Sequence, residues 1–246
     1  MKNFFIKNKN VIENKIFIQN SDAFHISKVL KLKLGEVICV RDEYFTYEAM
    51  LCKINTNECI AKIIKKIDKQ SSNIKIILYQ SIPKHHKMDL IVQKSVELGV
   101  YKIFPIITQR IITKITDENK FKKISRWQKI AAEAAKQCNR DNLLTIENII
   151  NFYEALKNME NNQLTIMLFE KIGKSGINNL KAVLKDHPKL NNFGIIVGPE
   201  GGFTESEANF AKEKDVHLVG LGKRILRTET AAIIATAIIM YEKNEI

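Results

Sequence analysis

The chain has 246 residues, 45% hydrophobic and 27% charged, enough to bury a core in one domain or two, which argues against a disordered chain. The longest apolar run, Ala231 to Tyr241, is interrupted by Thr236 and too short to cross a bilayer; "MKNFFIKNKN" lacks the apolar core of a secretory leader. The expectation is a cytoplasmic protein without a membrane segment, whose net charge of +12 suits a polyanionic partner.

Residues 1–72 read as a small β-domain. "FFIK", "KIFIQ", "EVICVRD", "YFTYEAMLCKI" and "ECIAKIIKKI" are β-branched or aromatic runs separated by Asn, Lys and Gly, interrupted by one helix at "SDAFHISKVLKL". The polar "DKQSSN" (68–73) reads as a linker. Cys39, Cys52, Cys59 and Cys138 lack CxxC spacing and lie among apolar residues, as buried free thiols of a reducing compartment do. Five scattered histidines offer no metal-ligand pattern.

From residue 73 to 246 strands alternate with helices, which predicts an α/β domain with a mostly parallel sheet. "IKIILYQS" precedes a helix from Met88 to Leu98, ended by Gly99, and the strand "YKIFPII". A long helix is expected over about 119–139. Phe121, Ile124, Trp127, Ala131, Ala134 and Cys138 form its apolar stripe, and Lys122, Arg126, Lys129, Glu133, Lys136 and Arg140 a mostly basic ridge opposite. Between Arg110 and Arg140 nine Lys or Arg stand against three Asp or Glu. A solvated helix face explains such a ridge as well as phosphate contact does. "QLTIMLFE", "FGIIVG" and "VHLVGLG" are the further strands.

Five of the ten glycines fall between 198 and 222, in "GPEGGFTESE" and "GLGKRILRTET", each between a strand and a helix. Ligands of open α/β sheets bind at such strand ends. Neither loop is a good phosphate turn: no Lys follows the double glycine, and Ile225 replaces the third glycine of a dinucleotide fingerprint. Thr204 and Glu207 have the spacing of a capping box, but the surplus of glycines calls for close backbone approach to something flat or bulky. Arg224 and Arg227 stand just before a helix, where cations oppose the macrodipole. That helix is apolar nearly all round, hence buried in the core or in a subunit interface.

"IPKHHKMDLIVQKSVELGV" (82–100), "RWQKIAAEAAKQCNRD" (126–141), "GPEGGFTESE" and "LGKRILRTETAAI" (221–233) together resemble the RsmE family, ribosomal RNA uracil-N3 methyltransferases of the SPOUT superfamily. The chain departs from the family pattern at "PKHHK" and "CNRDN". The resemblance implies an N-terminal PUA/OB-like RNA-binding β-barrel, a C-terminal domain with a trefoil knot, a homodimer, and S-adenosyl-L-methionine as cofactor. It implies that the cofactor lies against Leu168, Phe169 and Glu170, against Gly198, Pro199, Glu200 and Gly201, and against Leu221, Gly222, Ile225 and Leu226. Arg227, with Arg224, would be catalytic, stabilising charge on a uracil of 16S ribosomal RNA; Glu229 reads as a helix-start residue rather than a base. Arg110, Arg126, Lys129, Lys136 and Arg140 are the RNA-contact candidates, with no metal. The rivals are a non-catalytic RNA-binding or ribosome-assembly protein that keeps the fold, and a nucleotide-dependent enzyme.

Overall fold

The computed structural model describes residues 2–6, 10–42, 44–68, 72–113, 115–159, 162–173 and 179–246. The expected linker at 68–73 falls mostly on 69–71, outside the described residues. The chain divides into two compact units, one of residues 1–71 with 135–143 and one of residues 72–134 with 144–246.

The first unit contains β1 (Asn3–Phe5), β2 (Val11–Ile12), β3 (Lys15–Gln19), β4 (Val37–Arg41), β5 (Phe45–Ile54) and β6 (Glu58–Asp68). Helix α1 (Asn20–Phe24) continues as a π-helical turn over His25–Val29. The strands form one sheet in the order β1-β4-β5-β6-β3-β2, antiparallel except for β1 on β4. Period-two alternation sends Ile16, Ile18, Ile38, Val40, Tyr47, Ala49, Leu51, Cys59 and Ala61 to one face, where they close on Phe4 and Ile26. Residues 135–143 are tied to this unit by ion pairs: Arg41 Nε of β4 meets Asp141 at 3.0 Å, and Lys136 meets Asp22 of α1 at 3.0 Å. Cys39 and Cys59 are buried and their thiols are pushed up chiefly by that burial, but Cys52, expected inside, is exposed on β5.

The second unit contains β7 (Lys75–Ser81), α2 (Lys87–Glu97), β8 (Lys102–Ile107), most of α3 (Asp117–Gln137), β9 (Thr145–Ile146), β10 (Ile150–Asn151) and α4 (Phe152–Asn158). Then come β11 (Leu164–Leu168), α5 (Glu170–Gly173), α6 (Leu180–Asp186), β12 (Asn192–Val197), α7 (Glu205–Lys212), β13 (His217–Val219) and α8 (Thr228–Glu242). The sheet runs β10-β8-β7-β12-β11-β13, with β9 also on β8, and all its pairings are parallel. Strands β7, β11 and β12 are buried along almost their whole length, as strands covered on both faces must be. Strand β12 lies between β7 and β11 although four strands intervene in sequence between it and β7, so the chain returns to the middle of the sheet.

Two helical details differ from expectation. Helix α3 ends at Gln137 rather than 139: Asn139 takes a left-handed φ of 56°, and the Arg140 amide donates back to the Ala135 carbonyl. That turn closes the helix and removes Arg140 from the ridge. Phe121, assigned to the buried stripe, is 78% exposed, whereas Trp127, Ala131 and Ala134 are buried. Helix α8 packs one side, Ala232, Ala235, Thr236, Ile239 and Met240, into the core and leaves Ile234 and Tyr241 exposed.

Candidate active site

Strands β12, β11 and β13 are consecutive in the sheet, so the segments that follow them emerge side by side at its carboxyl edge. They enclose a pocket of about 390 Å³, within the range of small-molecule sites. Leu168, Phe169 and Glu170 come from the end of β11; Gly198, Pro199, Glu200, Gly202 and Phe203 follow β12. Leu221, Gly222, Lys223, Arg224, Ile225, Leu226, Arg227 and Thr228 lead from β13 into α8, and Lys87 and Ala231 complete the wall. Of the residues expected around a cofactor, only Gly201 lies outside this lining; its carbonyl accepts a hydrogen bond from Arg110 Nη1 at 2.9 Å.

The glycines of "GPEGG" each have a neighbour within the protein. A Cβ on Gly198 would lie 2.9 Å from the Phe203 ring, and one on Gly201 3.3 Å from Arg110 Cβ. Gly202 has φ +66°, and a Cβ there would sit 3.2 Å from a Glu170 carboxylate oxygen. These three glycines therefore let the loop fold tightly onto its own surroundings. The capping box of α7 is formed as expected, with the Glu207 amide donating to Thr204 Oγ1 and the Thr204 amide to Glu207 Oε2. Glu207 does more: its other oxygen accepts the Gln109 amide at 2.8 Å, tying the segment after β8 to the same helix start.

A buried polar chain fixes the two glycine loops to each other. Thr228 Oγ1 donates to the Gly198 carbonyl at 2.6 Å and accepts from Gln80 Nε2 at 3.0 Å; Gln80 also donates to the Ser81 carbonyl. Gln80 comes from β7, and its Oε1 is buried without a hydrogen-bond partner among the described residues. A second clamp is ionic. Lys87 Nζ lies 3.0 Å from Glu200 and 3.5 Å from Glu229, and the Lys84 amide donates to Glu200 Oε1. The hydrogen bond to Glu200 raises the Lys87 pKa against a smaller opposing effect of burial, and both carboxylate charges add to it. For Glu200 burial pushes upward, but hydrogen bonds from backbone amides and Lys87 overcome it and hold the carboxyl below its ordinary value. The Glu200 carboxylate is thus an internal clamp on α2, and Glu229 likewise turns to Lys87.

Arg224 and Arg227 are exposed at the pocket, and neither guanidinium has a hydrogen-bond or ion-pair partner among the described residues. Arg227 is the N-cap of α8 with no capping hydrogen bond, a place usually held by Ser, Thr, Asp or Asn. The amides of Leu221 to Leu226 make no hydrogen bond with other described residues. Backbone donors must be satisfied, so water or a bound molecule takes them. A pocket of this size with apolar walls, free loop amides and bare glycine backbone fits an adenosine; two unpartnered cations fit a negatively charged reactant.

The structure does not gather the RNA-contact candidates into one free basic ridge. Arg126 is bound to Asp89 and His86, Lys136 to Asp22, and Arg110 to the Gly201 carbonyl. Arg140 is largely desolvated, which lowers its pKa to about 10. Lys129 is exposed and has no partner among the described residues. Gln80, Lys87 and Thr228 were not singled out from the sequence; a Gln ending the apolar run "IKIILYQ" was the available signal.

The profile of an RNA methyltransferase domain matches residues 69–240. The chain is 32% identical to the ribosomal RNA small subunit methyltransferase E of Bacillus subtilis over 98% of this chain and 97% of that protein. It is 34% identical to the enzyme of the same name from Mesomycoplasma hyopneumoniae, covering 95% and 96% of the two chains. The structure is similar to that of the Neisseria gonorrhoeae ribosomal RNA small subunit methyltransferase E bound to S-adenosyl methionine. The TM-score is 0.84 at 33% identity, over 98% of this chain and 97% of that one.

Proposed function

Because the chain belongs to the RsmE family of RNA methyltransferases, we propose that it methylates N3 of one uracil in small-subunit ribosomal RNA. It is an S-adenosylmethionine-dependent ribosomal RNA methyltransferase; the position on the base and the roles of individual residues are the proposal. The observation that carries it is the pocket at the ends of β12, β11 and β13, where adenosine-compatible loops adjoin two unpartnered guanidiniums.

Leu168, Phe169, Glu170, Gly198, Pro199, Leu221, Gly222, Ile225 and Leu226 would hold the cofactor, the free amides of 221–226 reading its polar edges. When bound, S-adenosylmethionine supplies a methyl group activated on a sulfonium. Uracil N3 carries a proton at neutral pH, and its loss leaves negative charge on the two ring carbonyl oxygens. Arg227, with Arg224, stabilises that charge; such preorganised donors are worth roughly 10²–10³ in rate each. Gly201 and Glu200 act through loop shape: Arg110 and Lys87 hold them, and the Gln80–Thr228–Gly198 chain locks this loop to α8.

The finer architecture belongs to the same proposal. The return of β12 between β7 and β11 supports a trefoil-knotted second unit, and the six-stranded first unit supports a PUA/OB-like RNA-binding barrel. Exposed Ile234 and Tyr241 on α8 support a homodimer, working in the cytoplasm where ribosomal RNA is. The test is thermal stabilisation by S-adenosylhomocysteine, ATP and NAD in parallel. A rise with S-adenosylhomocysteine alone supports the proposal; a rise only with ATP or NAD returns the nucleotide-dependent rival.

A further inference from the structure

Uracil N3 carries its proton in the ring plane, at the place where the new N–C bond must form. That proton has to leave before the methyl group arrives, so the pocket needs an acceptor at the reacting atom. Its wall offers few. Lys87 and Lys223 carry ammonium groups and Arg224 and Arg227 guanidiniums, all of them donors. The Thr228 hydroxyl is taken up by Gly198 and Gln80. Glu200 accepts from the Lys84 amide and meets Lys87 at 3.0 Å; Glu229 lies outside the lining and meets the same lysine at 3.5 Å. Among the described residues no histidine lines the pocket.

Glu170 is left. It lines the pocket at the end of β11, is exposed, and has no hydrogen-bond or ion-pair partner among the described residues. Both its carboxylate oxygens stand over Gly202: a Cβ there would lie 3.2 Å from one and 3.6 Å from the other, so the bare glycine leaves them clear. The charged groups of the surrounding elements do not occupy it. Lys171 of α5 is bound to Glu205 of α7, Arg110 to the Gly201 carbonyl, and Lys87 of α2 to Glu200 and Glu229. Lys223, Arg224 and Arg227 lie on the segment between β13 and α8 and line the same pocket.

We infer that the Glu170 carboxylate is the general base of the reaction and, with Arg224 and Arg227, forms the donor–acceptor–donor set that reads the O2, N3–H and O4 edge of uracil. The inference rests on the uracil-N3 reading and adds to it the base and a source of selectivity. Glu170 keeps its place beside the cofactor; the added role belongs to its carboxylate. The N3–H bond breaks with its electron pair left on the ring, and the proton passes to a Glu170 oxygen while the guanidiniums stabilise the charge on O2 and O4. The N3 pair then bonds the methyl carbon as the carbon–sulfur bond breaks, its electrons returning to sulfur. Glu170, being exposed, gives the proton up to water. Cytosine offers a lone pair at N3 and an amino group in place of O4, so acceptor meets acceptor and donor meets donor.

The test uses the full chain, methyl-labelled S-adenosylmethionine and small-subunit ribosomal RNA, with wild type, Glu170→Gln and Glu170→Asp compared. Single-turnover rates are read from about pH 6 to 9, and S-adenosylhomocysteine affinity is measured by calorimetry. The wild-type rate should be flat across neutrality, because the proton moves within the complex. Glu170→Gln should lose roughly 10²-fold or more at neutral pH and recover about tenfold per pH unit, because hydroxide then removes the proton. Glu170→Asp should keep the flat profile at a lower rate. RNA carrying 5-fluorouridine, whose N3–H is more acidic, should narrow the gap between Glu170→Gln and wild type by about tenfold. Cofactor-product affinity in Glu170→Gln should stay within about threefold of wild type. A Glu170→Gln rate equal to wild type overturns the inference, as does a reduced rate that stays flat with pH and is not rescued by 5-fluorouridine. If that flat loss comes with a matching fall in S-adenosylhomocysteine affinity, Glu170 is a cofactor contact instead of the base. Formation of 3-methyluridine by the wild type leaves the uracil-N3 reading standing in either case. Label at another position in the wild type overturns that reading and the base with it.

Discussion

Replacing Thr228 with Val removes one oxygen from a buried chain and keeps the side-chain shape. The Gly198 carbonyl then loses a donor at 2.6 Å, and one Gln80 N–H loses its acceptor at 3.0 Å. Thr228 is 5% exposed and Gln80 fully buried, so water does not readily replace the lost partner. A buried polar group left unsatisfied costs about 1–3 kcal/mol, and after local relaxation the two together cost about 2–4 kcal/mol. Adding Gln80→Leu should return up to about 1 kcal/mol of this, since it removes the stranded N–H and the already orphaned Oε1 but also takes a donor from the Ser81 carbonyl. Urea unfolding of the wild type, both single variants and the double variant gives the coupling directly. S-adenosylhomocysteine affinity, measured by calorimetry, should fall in Thr228→Val because the two loops lose their tie. A Thr228→Val cost under about 0.5 kcal/mol, or a double variant no more stable than Thr228→Val, would refute the reasoning.

Arg227→Ala is expected to lower kcat by roughly 10²-fold with cofactor affinity within about twofold of wild type; a change in RNA KM alone would remove its catalytic role. Lys87→Met strands the Glu200 and Glu229 carboxylates and should weaken S-adenosylhomocysteine binding severalfold, with Glu200→Gln milder, as calorimetry would show. Glu200 has a depressed pKa in the folded protein, so its contribution is present above its unfolded value, near 4.5, and is lost as pH falls through the lower folded value. Lys87 has a raised pKa, so its contribution is full below its unfolded value, near 10.5, and is lost as pH rises through the folded one. Stability in urea should therefore take no pH dependence from this pair between these limits, and Glu200→Gln should blunt the acid limb of stability; an unchanged acid limb would count against the clamp. Gly202→Ala meets both a φ of +66° and a Glu170 oxygen, and should cost about 1–2 kcal/mol in urea unfolding.

Strands β3 to β8 and β11 to β13 were readable because each is a run of β-branched or aromatic residues bounded by polar breaks. Two-residue strands such as β2, β9 and β10 are too short to show a period. Helix α4 was missed although Asn151 and Glu154 form a capping box in plain view. The stripe on α3 gave the correct buried face at Trp127 and Ala131 but not its extent, since periodicity gives a direction and not the reach of the packing partner. The pocket loops were legible from clustered glycines and arginines. The fate of the cations was not: Lys136 finds Asp22, 114 residues away, and Arg126 finds Asp89, 37 residues away. For the same reason the ion pair of Glu200, which lines the pocket, with Lys87 of another helix was not legible.

The central claim is methyl transfer to uracil N3 in small-subunit ribosomal RNA. It is tested most directly by incubating that RNA with the protein and methyl-labelled S-adenosylmethionine, digesting it to nucleosides, and identifying the labelled product by mass spectrometry. The account predicts label in 3-methyluridine, mapping to one position and lost in Arg227→Ala. Label in a ribose-methylated or C5-methylated nucleoside, or none at all, would contradict it.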